Sequence, residues 1–173
     1  MRYFIAPLFI FFLRLNVSAQ LSYSLTYTDS LSSKVGIAIQ LVEAKRTPVS
    51  FVMPRSVPGA YNILNYDVFI EHLHAINSKG EKVTMLKDDN GAPRWYYADT
   101  GESIVRVEYE VNLKKMEGRL SPSDASIIRS DFAGMLNYSI FGWIDGTEQE
   151  PAQCTIQTFE GWPIFTTNQP TVC

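Results

Sequence analysis

Histidine and cysteine are both scarce in this 173-residue chain, which contains two residues of each. Zinc peptidases of the His-Glu-x-x-His class need two histidines one helical turn apart, with a glutamate that reaches the metal-bound water. The two histidines here, His72 and His74, are separated by a single residue. The chain also lacks a Gly-x-Ser-x-Gly elbow, a glycine-rich phosphate loop and a supported Cys-His pair. We therefore predict that this chain is not an enzyme by itself.

The pair of His72 and His74 allows two interpretations. Residues two apart on a β-strand share one face, and two imidazoles on one face can bind a metal ion. Alternation turns the adjacent Glu71 to the opposite face, however, and no Cys or further His offers a third ligand. We expect ordinary exposed strand histidines, with no metal site and no cofactor in this chain.

A hydrophobic run long enough to span a bilayer, about 20 residues, is also missing. The apolar stretch at residues 3–13 follows a basic start and precedes Arg14 and the small-x-small site Val17-Ser18-Ala19. This pattern is typical of a secretory signal peptide. We expect residues 1–19 to be removed after Ala19 and residues 20–173 to be secreted or periplasmic, without a transmembrane segment. An uncleaved anchor helix is the alternative.

The mature chain has no excess of positive charge. Loss of Arg2 and Arg14 leaves 13 Lys and Arg against 18 Asp and Glu, a net charge of −5. Nucleic acids and anionic membrane surfaces attract basic proteins, so this balance argues against both as partners. The remaining 154 residues are enough for one domain with its own core.

The two cysteines, Cys154 and Cys173, could form a disulfide bond in an oxidising compartment. Cys154 falls in a predicted strand, whereas Cys173 is the last residue. The sequence leaves open whether the two residues pair.

What the chain does have is alternation of apolar and polar residues. Val105, Val107, Tyr109 and Val111 alternate with polar side chains, which is typical of a half-buried β-strand. The same reasoning predicts about nine strands, at residues 22–27, 35–41, 49–53, 68–76, 82–86, 94–98, 105–111, 136–144 and 152–159. Turn sequences rich in Asn, Asp and Gly separate most of them. We predict an all-β fold, an antiparallel β-sandwich.

Two segments need separate interpretation. The strand at 68–76 breaks alternation near Phe69-Ile70, which a β-bulge would explain. Residues 117–130 form a long irregular connection with Gly118 and Pro122, and loops of this length are often functional or mobile.

The most specific motif is the Pro-Gly segment, residues 53–66 (MPRSVPGAYNILNY). Pro54 and Pro58 restrict the backbone, and Gly59 permits the positive φ of a tight type II turn. Tyr61 and Tyr66 follow this turn. A strand that enters a proline-rich corner is the ordinary interpretation of a Pro-Gly dipeptide.

The Pro-Gly segment resembles the proline-glycine-tyrosine turn in the N-terminal domain of the glycyl aminopeptidase family, zinc metallopeptidases that also carry a PDZ domain. Residues 107–111 (VEYEV), 134–144 (GMLNYSIFGWI) and 159–164 (FEGWPI) resemble later strands of that domain in the same order. The resemblance covers residues 21–167, nearly all of the mature chain. Val57 replaces an aromatic residue often found before the Pro-Gly, and the arginine that often follows the tyrosine is absent.

The resemblance implies that residues 20–173 are the non-catalytic N-terminal domain of a zinc aminopeptidase and pack against its catalytic domain. Zinc is then expected only in that catalytic domain. The candidate contacts with the catalytic domain or the substrate cleft are Pro58, Gly59, Tyr61, Asn65 and Tyr66. Burial of Tyr61 in the domain's own sandwich is the alternative. The chain is then either part of a longer peptidase or a solitary accessory domain.

A second hypothesis is a secreted β-sandwich module that binds carbohydrate or protein by itself. It depends on the run Trp95-Tyr96-Tyr97, because exposed coplanar rings stack on sugars. Alternation sends Trp95 and Tyr97 to one face, where burial in the core is the usual outcome. At least two of these rings must lie open on one surface for this hypothesis to stand.

A missing catalytic domain has a consequence for the surface. We expect an exposed apolar patch formed by Tyr61, Ile63, Leu64 and Tyr66, because such patches mark interaction sites. An uncovered sheet edge near the C-terminus would add a second tendency to self-associate.

Overall fold

The computed structural model describes residues 21–27, 33–46, 48–56, 62–98, 101–158 and 162–166. Twelve strands lie within these residues: β1 (Leu21–Thr26), β2 (Lys34–Lys45), β3 (Val49–Val52), β4 (Ile70–Asn77), β5 (Lys82–Thr84), β6 (Leu86–Lys87), β7 (Arg94–Tyr97), β8 (Ile104–Asn112), β9 (Ile127–Ile128), β10 (Ala133–Gly134), β11 (Trp143–Ile144) and β12 (Ala152–Gln157). Three short helices join them: a 3₁₀ helix (Tyr66–Phe69), α1 (Leu113–Glu117) and α2 (Asn137–Ile140).

The strands form three sheets. The largest has the order β12-β1-β2-β8-β4-β5, the second has the order β11-β3-β7-β6, and β10 pairs with β9. Every pair is antiparallel except β1 with β12, which is parallel. The predicted all-β, antiparallel sandwich is therefore confirmed.

Alternation places the core between the six-stranded and the four-stranded sheet. Val35, Ile37 and Ile39 on β2 are buried on the same side as Val107 on β8. Phe51 of the four-stranded sheet meets this layer, with its ring centroid 4.8 Å from that of Tyr109. Burial of such large apolar side chains contributes roughly 1.5–3 kcal/mol each, so these contacts hold the two sheets together.

Three hydrogen bonds, two of them buried, connect the six-stranded sheet to the segment directly before β11. The Tyr109 hydroxyl donates to the carbonyl of Ile140 (2.9 Å) and accepts from the Gly142 N–H (3.0 Å). Tyr23 donates to the Gly142 carbonyl (3.1 Å). A Cβ atom at residue 142 would lie 2.5 Å from the ring of Phe51, so this position accepts only glycine without rearrangement.

Two predicted strands have a different structure. Residues 136–144 contain α2 followed by the two-residue strand β11, because a helical turn buries Ser139 and Ile140. Residues 82–86 divide into β5 and β6, which belong to different sheets on either side of the buried Met85. Apolar runs of this length do not distinguish a strand from a helical turn or a change of sheet.

The long connection at 117–130 carries local structure. It begins at the end of α1, whose first turn is capped by Asn112, the acceptor for the Lys115 N–H at 2.9 Å. It ends in the short strand β9. Among the described residues, no helix has the length and hydrophobicity that a bilayer crossing requires.

Candidate functional site

The centre of the Pro-Gly segment, including Pro58, Gly59 and Tyr61, lies outside the described residues. Its two ends are close together, because the Leu64 N–H donates to the carbonyl of Arg55 at 2.8 Å. Met53, where the segment begins, is fully buried in the core. The fold therefore holds both ends of the segment at one place beside the four-stranded sheet, which contains β3.

An ion cluster, here called the Asp67 clasp, ties the base of this segment to the four-stranded sheet. The Asp67 carboxylate accepts two hydrogen bonds from the Arg55 guanidinium, both at 3.0 Å, and one from Lys87 Nζ at 2.9 Å. The Asp67 side chain is 1% exposed, whereas its partners are partly exposed. Lys87 also lies 4.9 Å from the ring centroid of Trp95, a cation–π distance.

Burial of the Asp67 carboxyl favours its neutral form, but the hydrogen bonds from Arg55 and Lys87 outweigh burial and lower its pKa. All three hydrogen bonds are charge-assisted, and the fork of Arg55 fixes their geometry. The clasp is therefore a positioning device for the ends of the Pro-Gly segment. Neither Arg55 nor Asp67 was predicted from the sequence, since no spacing pattern links these two residues to Lys87.

The predicted exposed patch is wrong for two of its residues. Tyr66 is fully buried, donates to the carbonyl of Asp124 at 2.9 Å, and has its pKa raised to about 12 by burial. Leu64 is also buried, because the 3₁₀ helix turns this part of the chain into the core. Of the described residues of the predicted contact set, only Asn65 offers an exposed side chain, and the nearby Ile63 is 72% exposed.

A second cluster lies on the outer face of the six-stranded sheet, and a β-bulge creates it. In the register of β4 with β8, Glu71 is opposite Glu110 and His74 is opposite Glu108, so two residues of β4 face one of β8. His72 takes the extra position with a φ of 52°. The sequence predicted a bulge near residues 69–70, whereas the observed bulge lies between Glu71 and His74.

The bulge corrects the predicted orientation of Glu71. This residue lies on the same face as the histidines, because Lys34 Nζ contacts both Glu71 (2.8 Å) and Glu110 (3.0 Å). An extra residue in a strand reverses the alternation that follows it. Glu71, His72 and His74 therefore share the outer face.

These side chains form what we call the outer-face network. His72 Nδ1 lies 2.9 Å from Glu110, and His74 Nε2 lies 3.0 Å from Glu108. The hydrogen bond from Lys34 lowers the pKa of Glu71; in Glu110, bonds from Lys34 and His72 outweigh burial and also lower the pKa. A concavity of about 460 Å³ lies beside this network. Its other lining residues include Ser24, Thr26, Gly36, Ala38, Lys82 and Arg106.

The outer-face network does not fit a zinc ion. His74 Nδ1 contacts the carbonyl of His72 at 2.8 Å, so both nitrogens of the His74 ring already contact oxygen atoms of the protein. No group of three His, Cys, Asp or Glu residues with metal-binding geometry occurs in the described part of the chain. The network consists of the two ion pairs of Lys34 and the hydrogen bonds of the two histidines at the protein surface.

The aromatic run at Trp95 does not form an open platform. Trp95 is buried against Phe51, with ring centroids 5.7 Å apart, and Tyr97 packs on the edge of the core. Tyr96 is half-buried. The observation that motivated a carbohydrate-binding module is therefore absent from this fold.

Cys154 on β12 is exposed, although partial desolvation of its sulfur raises the pKa of the thiol. Cys173 lies outside the described residues, so the predicted alternatives for this pair stay open.

Two comparisons with known proteins, one by sequence and one by structure, both match peptidases. A model of the Peptidase M61 N-terminal domain matches residues 22–171. The fold is similar to part of an aminopeptidase N family protein from Idiomarina loihiensis, with a TM-score of 0.64 and 18% sequence identity. This match covers 79% of the present chain and 22% of the other chain, so the present chain spans a small part of that protein's length. No curated protein sequence matches the chain.

Proposed function

Because this chain belongs to the Peptidase M61 N-terminal domain family, we propose that it is the non-catalytic N-terminal domain of a secreted zinc metallopeptidase similar to glycyl aminopeptidases. The family match over residues 22–171 is the observation that carries this proposal. In this proposal the chain packs in cis on the catalytic domain, and zinc is bound by that domain alone.

The Pro-Gly segment is the proposed contact with the catalytic domain or its substrate cleft. Its support is the Asp67 clasp together with the hydrogen bond from Leu64 to Arg55, which fix both ends of the segment. A segment with fixed ends loses less entropy when it binds, so its side chains contribute more of their contact energy to docking. Tyr61 and the exposed Asn65 are the proposed contact side chains, and the buried Tyr66 supports the base from below.

Association with a catalytic domain tests this proposal. The purified chain is titrated with a separately produced catalytic domain of an M61 peptidase, and binding is measured by calorimetry. We expect association with the wild-type chain and roughly tenfold or greater weakening in the double variant Tyr61→Ala, Asn65→Ala, since a few central side chains carry most of an interface's energy. The matched control, Ser22→Ala with Ser24→Ala, changes two small side chains on the outer face of the six-stranded sheet and should bind normally.

Peptidase assays provide the second half of the test. The chain with added zinc should not hydrolyse glycyl or alanyl peptides, whereas its complex with the catalytic domain should do so. Turnover by the chain alone that disappears in the double variant His72→Ala, His74→Ala would contradict the non-catalytic assignment. Failure of the wild-type chain to bind any M61 catalytic domain would contradict the packing proposal.

Export is tested separately. If residues 1–19 are a signal peptide, the protein recovered from the periplasm or medium of its host should begin at Gln20. Retention in the cytoplasm with an intact Met1 would remove secretion from the proposal and leave the domain assignment unaffected.

A further inference from the structure

The strand β12 forms an open edge of the six-stranded sheet. Within the described part of the chain, β12 pairs only with β1, in parallel register from Leu21 opposite Ala152 to Thr26 opposite Gln157. All six of its residues are exposed. An edge strand of this kind presents a row of backbone N–H and C=O groups that another strand can pair with.

The two edges of this sheet differ in their protection. The opposite edge, β5, is three residues long and carries Lys82. β12 is six residues long, and its sequence AQCTIQ contains no charge and no proline. Short length and lysine are the usual means by which proteins prevent pairing at an edge, and β12 has neither.

The core face of β12 is also incompletely covered. Ala152, Cys154 and Ile156 are the register partners of the buried Leu21 and Leu25 and of the partly buried Tyr23, which packs against the core. The residues on β1 are covered by the rest of the domain, but their neighbours on β12 remain exposed. Further along the chain, Ile164 and Phe165 are exposed as well, and Trp162 packs against Tyr27 directly after β1. Among the described residues, the apolar layer therefore continues to the edge of the sheet without a cover.

We propose that β12 is a homodimerisation strand, which pairs antiparallel with β12 of a second copy of this chain and joins two six-stranded sheets into one. A two-fold axis perpendicular to the sheet keeps the core faces on the same side. Directly opposite residues must then share a face, so the register is centred on Cys154 or on Thr155. In the first register, centred on Cys154, Gln153 lies opposite Thr155 of the partner subunit. In the second register, centred on Thr155, Thr155 lies opposite Thr155 of the partner subunit.

A second copy fits this edge because the strand is compatible with itself. β12 has no charged residue, so neither register places like charges opposite each other. Ala152 and Ile156, which lie on the core face, become neighbours across the axis in the first register and extend the apolar layer of each copy. This inference does not depend on the proposed contact with a catalytic domain, since β12 and the Pro-Gly segment are different surfaces.

Light scattering coupled to size exclusion tests the dimer. We expect the chain to elute as a dimer that dissociates on dilution. The double variant Gln153→Lys, Thr155→Lys places lysines directly opposite each other in both registers and should raise the dimer dissociation constant at least tenfold. On the adjacent strand β1, the register partners of residues 153 and 155 are the small residues Ser22 and Ser24. Both lysines therefore have room, and the circular dichroism spectrum of the variant should not change.

The matched control adds two lysines at the other end of the sheet, Ser78→Lys and Thr84→Lys, and should leave the dimer intact.

Cross-linking identifies the register in a Cys173→Ser background. Copper-phenanthroline should oxidise Cys154 to an intermolecular disulfide if the register is centred on Cys154. With Ile156→Cys added, an intermolecular link between residues 154 and 156 identifies the register centred on Thr155.

Three results would overturn the proposal: a monomer at every concentration without a cross-link in either background, a dimer that the β12 lysines leave unchanged, or equal dissociation by the control lysines. If the β12 lysines unfold the chain, the two cross-linking backgrounds decide the matter. Protection of the β12 amides from exchange only when a catalytic domain is present would assign the edge to a different partner and would also overturn the dimer.

Discussion

The Asp67 clasp and the outer-face network use the same chemistry in two different environments. In each, basic side chains contact carboxylate oxygens at about 3 Å: Asp67 alone in the clasp, and several glutamates in the network. The carboxylate of the clasp is 1% exposed, whereas Glu110 in the network is 39% exposed and His72 is 70% exposed. Water and ions screen the network but not the carboxylate of the clasp. Burial, rather than the number of ion pairs, therefore decides how much each cluster contributes to stability.

The largest effect is expected from Asp67→Asn. This change keeps the shape of the side chain but removes its charge and replaces one of the two accepting oxygens with an NH₂ donor, so Arg55 and Lys87 together retain a single neutral acceptor. Loss of one partner of a buried ion pair costs about 3–5 kcal/mol, and we expect about 2–3 kcal/mol because Arg55 and Lys87 are partly exposed. Urea unfolding measures the difference. A loss as small as that of a surface pair would show that burial is not the deciding factor.

Acid should affect the two clusters differently. The folded-state pKa of Asp67 is lower than its ordinary value of 3.8, so its contribution to stability is complete above that value and is lost as the pH falls through the folded-state pKa. The difference in unfolding free energy between wild type and Asp67→Asn should therefore shrink below about pH 4. Denaturant titrations at several pH values measure it. A difference that stays constant down to pH 2 would contradict the lowered pKa.

A smaller effect is expected from Glu110→Gln in the outer-face network. Exposed ion pairs contribute about 0–1 kcal/mol, so the loss of stability should be under about 1 kcal/mol. It should decrease further in high salt, because exposed charges are screened. The matched comparison is Asp67→Asn, whose cost should depend less on salt. Equal costs and equal salt dependence for the two variants would remove the distinction between the clusters.

The smallest effect is expected at the bulge. His72 has a φ of 52°, a conformation that glycine adopts without steric strain. We expect His72→Gly to stabilise the domain by about 0.5 kcal/mol, since the lost contact with Glu110 is an exposed one. The control is His74→Gly on the same strand, where a negative φ gives glycine no advantage and stability should fall. Thermal unfolding of both variants gives the comparison, and a destabilised His72→Gly would show that the contact outweighs the strain.

The strands with strict alternation were predictable from the sequence. In β2 and β8, the alternation of polar and apolar residues predicts which side chains face the core. A one-residue shift of the strand register would expose all of the apolar side chains, so the register follows from this pattern. The same logic failed at residues 136–144, where a helical turn buries Ser139 and the Ser139 hydroxyl finds a partner in Ser126 at 2.6 Å. Local polarity does not reveal such a partner, because the two serines meet only after the chain has folded.

The candidate site was predictable only in outline. The Pro-Gly segment was identified from its prolines, glycine and tyrosines, but the burial of Leu64 and Tyr66 depends on the 3₁₀ helix that follows them. The clasp is less predictable still, since Arg55, Asp67 and Lys87 are 12 and 20 residues apart and belong to different parts of the fold. Contacts between charged residues at such separations cannot be predicted from the sequence, because the topology of the fold decides which of them meet.

The sequence by itself determined that this is an all-β chain, because alternation and turn chemistry act between near neighbours. The likeness to a peptidase N-terminal domain rested on the resemblance of its motifs to those of a known family. Tertiary structure decided which carboxylate is buried, where the bulge reverses the face of Glu71, and which strand is left at the edge of the sheet. Each of these depends on contacts between residues far apart in the chain. The free energy of a charge or a backbone hydrogen bond is set by burial, which only the folded molecule defines.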